Sequence, residues 1–199
     1  MSFPTDFVFH QLRPLFFSVD AETAHERMLS SVEMLSKFPG VIPLLRLQFH
    51  EESPVLHTKL FGKRINNPIG LAAGFDKDGR IYPSLFALGF GFVEIGTVTP
   101  LPQLGNSKPR IFRLLEDKAL VNSLGFNSLG IHNMVKKLDP RVKEKSREKS
   151  YTINKSSEKN EKFSPCMLGI NIGKNRDTYL EDAREDYVSA LNALYNFAD

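Results

Sequence analysis

Cysteine is almost absent from this 199-residue chain, where Cys166 stands alone. One thiol cannot close an internal disulfide, which excludes a disulfide-stapled fold and suits a reducing compartment. No apolar run approaches the roughly eighteen residues that a membrane span needs. The opening MSFPTDFVFHQLRP carries an acid at Asp6 and lacks both a basic leader and a small-residue cleavage site. Neither a secretory signal nor an Arg-rich transit peptide fits it. HExxH, CxxC, GxSxG and Walker sequences are missing, and the five His are scattered. Metal-hydrolytic, dithiol, acyl-transfer and P-loop chemistry lose support, and no metal site is expected. Charge of one sign is also scarce. The formal net of +3 is accounted for by residues 139–164 alone, with eight basic against five acidic side chains. No nucleic-acid footprint follows from so local an excess.

The composition that remains is globular, at 41% hydrophobic and 25% charged with 13 Gly and 12 Pro. Residues 1–50 hold seven of the sixteen Phe. Asp20 is a plausible N-cap, and Ala21, Ala24, Met28, Val32 and Leu35 follow at helical spacing up to Pro39-Gly40. A shorter helix disturbed by Pro14 precedes it. Two such amphipathic helices suit a membrane surface or a hydrophobic groove, or they simply cover a neighbouring core.

From residue 54 the pattern becomes strand–loop–helix. Short extended pieces over 54–68 lead into Ile69–Gly74, which reads as a strand buried on both faces. A helix over Tyr82–Leu88, a strand over Phe92–Thr97, a hairpin around Arg110–Leu115 and Leu120–Asn122, and a helix near Ile131–Leu138 follow. Met167–Ile172 reads as a third buried strand. Thr178–Glu181 reads as a capping box opening a helix that lines up Leu180, Ala183, Tyr187, Leu191 and Leu194. Residues 139–164 are too poor in hydrophobics to bury a core and read as a flexible surface insertion. Repeated βα units with glycine at the strand ends predict a parallel sheet covered by helices, in a barrel or an open doubly wound fold.

Four strand-end clusters carry the chemistry. Ala72–Gly79 offers small residues that let a planar or phosphorylated ligand approach the backbone, with Lys77 set either to meet negative charge or to lie in a solvated turn. Glu94–Pro100 places the Thr97 hydroxyl at a strand end. Asn122–Asn127 offers amides suited to a planar ligand with alternating carbonyl and N–H groups. Gly169–Asn175 puts the Asn171 amide at the end of the third strand. Together they describe a ligand site on the carboxyl-end face of a barrel.

Asn67–Lys77, Phe90–Pro100, Gly105-Asn106, Lys108–Leu114, Asn122–Phe126 and Gly169–Lys174 closely resemble the class 2, membrane-associated dihydroorotate dehydrogenases. Ala24-His25-Glu26-Arg27 matches the helical extension of that class. The resemblance covers nearly everything except the charged insertion. It implies an α/β fold of the TIM-type (β/α)8 barrel kind, represented here by about the first three strands. Residues 1–53 would form a helical membrane- and quinone-associated region, and 54–199 a partial FMN-binding barrel. It further implies FMN as cofactor, oxidation of dihydroorotate to orotate in pyrimidine biosynthesis, and a membrane quinone as acceptor. By motif position Ala73, Gly74, Phe75, Asp76, Lys77, Thr97 and Asn171 would contact FMN. Lys77 would also reach the substrate, whose pocket Asn122, Ser123, Leu124, Gly125 and Phe126 would line. His25 and Arg113 would face the quinone. The expected location is peripheral, on the cytoplasmic face of a bacterial inner membrane rather than a mitochondrial one.

Ser123 stands where the family usually has Arg, which leaves that position a backbone role. The family's base is a Ser in a loop after strand four, beyond Asp199. The expectation is therefore a truncated or partial dehydrogenase, with a catalytically inactive membrane-surface remnant as the alternative. Another FMN-dependent barrel oxidoreductase is disfavoured by the Phe-rich N-terminal helices. Three strands cannot close an eight-stranded barrel. Each apolar side chain left exposed forfeits roughly 1.5–3 kcal/mol, against a whole-domain stability of about 5–15 kcal/mol. Expressed alone, the 199-residue polypeptide is expected to aggregate or stay partly unfolded and to bind no stoichiometric FMN. Flavin absorbance and a denaturant transition check this, and a yellow, cooperatively unfolding monomer would contradict it.

Overall fold

The computed structural model describes residues 5–51, 53–139 and 166–199. The charged stretch singled out above lies, apart from Asp139, outside the described residues.

Three helices open the chain: α1 (Thr5–Phe17), α2 (Ala21–Leu35) and α3 (Val41–Phe49). Asp20 caps α2 as its position predicts, its carboxylate accepting the Thr23 N–H at 2.9 Å. Pro14 does not shorten α1, which runs through it for three more residues. Helix α3 was not foreseen. Pro43 falls in its first turn, where the missing N–H would have had no intrahelical partner. Gly40, at φ +92°, turns the chain into that helix.

A hairpin of β1 (Thr58–Leu60) and β2 (Lys63–Ile65) follows. The parallel sheet is ordered β3 (Gly70–Leu71), β4 (Phe92–Val98), β7 (Met167–Ile172). Helix α4 (Tyr82–Ala87) connects β3 to β4, and α5 (Gly130–Leu138) lies between the antiparallel hairpin β5 (Ile111–Leu114)/β6 (Ala119–Asn122) and β7. Helix α6 (Ala183–Leu194) then returns the chain to the edge of β7, where the Asp199 N–H donates to Leu168 O at 3.0 Å. Val93 and Ile95 of β4 are fully buried among Leu29, Ile81, Leu85, Met134, Leu138, Leu168 and Leu194, so α2, α4, α5 and α6 all contribute to one core.

Two expectations need correction. The strand expected over Ile69–Gly74 is regular only at Gly70–Leu71, and Ile69 is 62% exposed. It is an edge strand here, and burial on both faces requires neighbours on both sides. Its course beside β4 nevertheless continues to the rim, where Gly74 N–H donates to Gly96 O at 2.9 Å. The capping box at Thr178–Glu181 is also absent. Residues 179–182 form a turn, and Asp186, one turn into α6, accepts both the Thr178 hydroxyl at 2.7 Å and the Asn175 N–H at 2.8 Å. The helix is rotated accordingly, so that Ala190 and Leu194 are buried while Leu180, Tyr187 and Leu191 face outward.

Ile95→Ala should cost about 2–5 kcal/mol by leaving a cavity at the centre of β4. Leu47→Ala, at a position 86% exposed on α3, should stay within about 0.5 kcal/mol. Urea midpoints of the two variants, read in the intact protein rather than in the isolated polypeptide, check the contrast.

Candidate active site at the carboxyl end of the parallel strands

The turn after β3 is built on a buried carboxylate. Asp76 is fully buried and accepts the N–H groups of Arg80 at 2.7 Å and Ile81 at 2.8 Å, immediately before α4. Burial pushes its pKa up, and the two backbone hydrogen bonds work against that rise. The side chain is thus committed to the turn before α4. The Asp76 main-chain carbonyl accepts the Gly96 N–H at 3.4 Å and so joins the ends of β3 and β4.

With Asp76 pointing inward, its neighbours face the rim. The Lys77 ammonium donates to Asn127 Oδ1 at 2.7 Å. Its pKa is lowered by burial and then by the positive charge of Arg110, with Asp78 and Glu22 opposing. The Phe75 carbonyl accepts from His25 Nε2 on α2 at 2.9 Å, and the two rings meet edge to face. A Cβ added at Gly74 would meet nothing within 4 Å, so the rim is open above Ala73-Gly74. At the far side the Thr97 hydroxyl donates to Asn171 Oδ1 at 2.7 Å, tying β4 to β7. The four clusters therefore meet as two linked pairs, Lys77–Asn127 and Thr97–Asn171.

The loop over 122–127 is held from behind. Asn106 donates its N–H to Leu124 O at 3.0 Å and its amide to Ser123 O at 2.6 Å. Gln103 donates to Phe126 O at 2.8 Å. Gly105, at φ +76°, permits this approach, since a Cβ there would overlap the Leu124 carbonyl. The Ser123 main chain is pinned at both its N–H and its carbonyl, while the side chains of Asn122, Ser123 and Phe126 remain exposed.

Helix α2 is fastened to this rim by ions. Arg110, 6% exposed, meets Glu22 at 2.7 Å. Arg80 meets Glu33 at 2.8 Å, Glu26 at 3.0 Å and the Ser30 hydroxyl at 3.0 Å. Arg113 donates to Val19 O at 2.6 Å and Phe16 O at 3.2 Å, and stacks over Phe17 with 4.8 Å to the ring centroid. Sequence reasoning has His25 and Arg113 facing a quinone; here His25 lies on α2 against Phe75, and Arg113 reaches the Val19 and Phe16 carbonyls. It passed over Arg110 and Arg80, and it counted Asn127 among the loop amides without its Lys77 partner. Arg110 and Asn127 stand inside runs already singled out. Only their distant partners reveal what they hold.

Residues 55–199 match the dihydroorotate dehydrogenase family. The chain belongs to that family. Over 94% of its length it is 43% identical to the dihydroorotate dehydrogenases (quinone) of Stenotrophomonas maltophilia and Roseiflexus sp., and over 92% it is 41% identical to that of Thermus thermophilus. It spans about half the length of these relatives, 46–48%. Crystal structures of Eimeria tenella dihydroorotate dehydrogenase superpose with TM-scores of 0.70, in complex with ferulenol, and 0.68, ligand-free, at 34% and 36% identity. Each match covers 90% of this chain and 42% or 44% of the other. Among the described residues no group of His, Cys, Asp and Glu could hold a metal, and no helix is long and apolar enough to cross a membrane.

The Glu22–Arg110 pair gives the fold an acid-sensitive limb. Hydrogen bonding to Arg110 holds the Glu22 carboxyl below the ordinary glutamate range. A folded-state pKa below the unfolded one contributes stability above that range and loses it as pH falls through the depressed value. Urea midpoints should fall between about pH 5 and pH 3, and Glu22→Gln should flatten part of that limb.

Proposed function

We propose that this chain forms the amino-terminal part of an FMN-dependent dihydroorotate dehydrogenase that passes electrons to a membrane quinone. The observation that carries the reading is the pair of links Lys77–Asn127 and Thr97–Asn171 at neighbouring strand ends, in a chain of this family. In this reading the parallel sheet begins a (β/α)8 barrel.

The residues present suit a flavin. The open floor at Ala73-Gly74, the Phe75 and Asp76 main chain, the hydroxyl–amide pair Thr97–Asn171 and the Lys77 cation are assigned to hold it. FMN, when bound, accepts the hydrogen and electron pair that leave C6 of dihydroorotate. Lys77 would bind the substrate carboxylate and stabilise negative charge developing over the rim, an effect strengthened where water is excluded. Asn122 and the main chain of Ser123 to Phe126 would orient the planar ring through paired donors and acceptors. None of the four clusters is assigned as the base that removes the C5 proton.

The quinone would enter between α1 and the hairpin, beside Arg113 and His25. Residues 1–53 are proposed to rest on the membrane through α1 and α3, where Leu15, Leu44 and Leu47 are each more than 60% exposed. A bacterial inner-membrane surface suits this placement. Helix α2 is the exception within that region, because its Leu29 is only 3% exposed and belongs to the core.

In the intact enzyme Lys77→Ala should slow flavin reduction by dihydroorotate about 100-fold or more, while moving the urea midpoint little. Unchanged stopped-flow bleaching of the flavin would overturn the assignment. Deleting α1 alone, which keeps the core residue Leu29, should spare flavin reduction and cripple quinone reduction and liposome binding. Equal loss of both half-reactions would make α1 structural, and an enzyme never reduced by dihydroorotate would favour the inactive membrane-surface reading.

A further inference from the structure

The buried guanidinium of Arg110 serves two masters. One edge, Nε and Nη2, forks onto the Glu22 carboxylate of α2 at 2.7–3.2 Å. The other nitrogen, Nη1, donates to three main-chain carbonyls, Leu104 at 2.6 Å, Asn106 at 2.9 Å and Leu124 at 3.5 Å. The Arg110 carbonyl in turn accepts the Ser123 N–H at 2.9 Å. A planar fork with five donors can satisfy a carboxylate and a cage of carbonyls at once, which a lysine ammonium cannot. A pair this buried gains little net stability over apolar packing, since both charges lose their hydration. It does fix geometry. The loop it holds ends at Asn127, the partner of Lys77.

We propose that Arg110 is a positioning residue for the substrate-side loop 122–127, and that Glu22 orients the Arg110 fork for that role. The proposal rests on the reading of loop 122–127 as the dihydroorotate pocket. Arg80 supplies the internal control, because its side chain fastens the same helix through Glu26, Ser30 and Glu33.

The test compares Arg110→Lys, Glu22→Gln and Arg80→Lys in the intact, FMN-loaded enzyme. Arg110→Lys should raise the KM for dihydroorotate, and the Kd for orotate read from the flavin absorbance shift, about tenfold. Flavin reduction at saturating dihydroorotate should change less than about threefold. Glu22→Gln keeps the carbonyl bonds and should show a smaller rise of the same kind, and it serves as the test if Arg110→Lys fails to fold. Arg80→Lys should leave both constants within about twofold. Amide hydrogen exchange in residues 122–127 should quicken in Arg110→Lys and stay unchanged in Arg80→Lys. Equal effects of the Arg110 and Arg80 substitutions, or a loss confined to the saturating rate, would overturn the proposal. Should the wild-type enzyme not be reduced by dihydroorotate, the functional reading fails on its own, and the exchange comparison still decides whether Arg110 holds the loop.

Discussion

Asp76 is the constraint around which this part of the molecule is arranged. A carboxylate without solvent contact is costly unless its lone pairs are met, and here two main-chain N–H groups meet it. In meeting them it fixes where the turn after β3 ends and where α4 begins. It also dictates direction on either side. Phe75 presents its carbonyl to α2, Lys77 reaches across to Asn127, and the Asp76 main chain grips β4 at Gly96. A residue that sequence comparison would place among ligand contacts is the scaffold from which the neighbouring contacts hang.

Helix α2 separates itself from the helices on either side of it. Leu29 joins the core, His25 caps a rim carbonyl, and Glu22, Glu26 and Glu33 pair with two arginines of the α/β unit. The Arg80 pairs are partly solvated, and such pairs contribute on the order of 0–1 kcal/mol each. Their value lies in angular definition rather than stability. Helices α1 and α3 instead expose Leu15, Leu44 and Leu47. The amino-terminal region is thus two things at once, a helix anchored in the core through Leu29 and flanking helices that offer apolar surface outward.

The rim that would hold flavin and dihydroorotate is contacted from one side by β-strand ends and from the other by α2. Lys77 sits where burial and the Arg110 charge both disfavour its protonated form, with Asp78 and Glu22 opposing. A cation held at that balance responds strongly to an anionic ligand, because an added negative charge is felt in a poorly screened setting.

Much of this was legible along the chain. Asp20 followed by a 3.6-residue apolar rhythm is local chemistry, so the cap and course of α2 could be read directly. The strands over Phe92–Val98 and Met167–Ile172 and the hairpin over Ile111–Asn122 announce themselves by apolar runs with turn residues between them. The four strand-end clusters were visible because small and amide residues at strand ends have few other reasons to recur. Tertiary structure decided the rest. Whether Ile69 is buried depends on how many strands stand beside it, which no local pattern records. The burial of Asp76, the fork from Arg110 to Glu22 across 88 positions, and the rotation of α6 that hides Ala190 rather than Leu191 all depend on partners distant in sequence. Periodicity reports that a helix has an apolar side, but only packing decides which side meets the core.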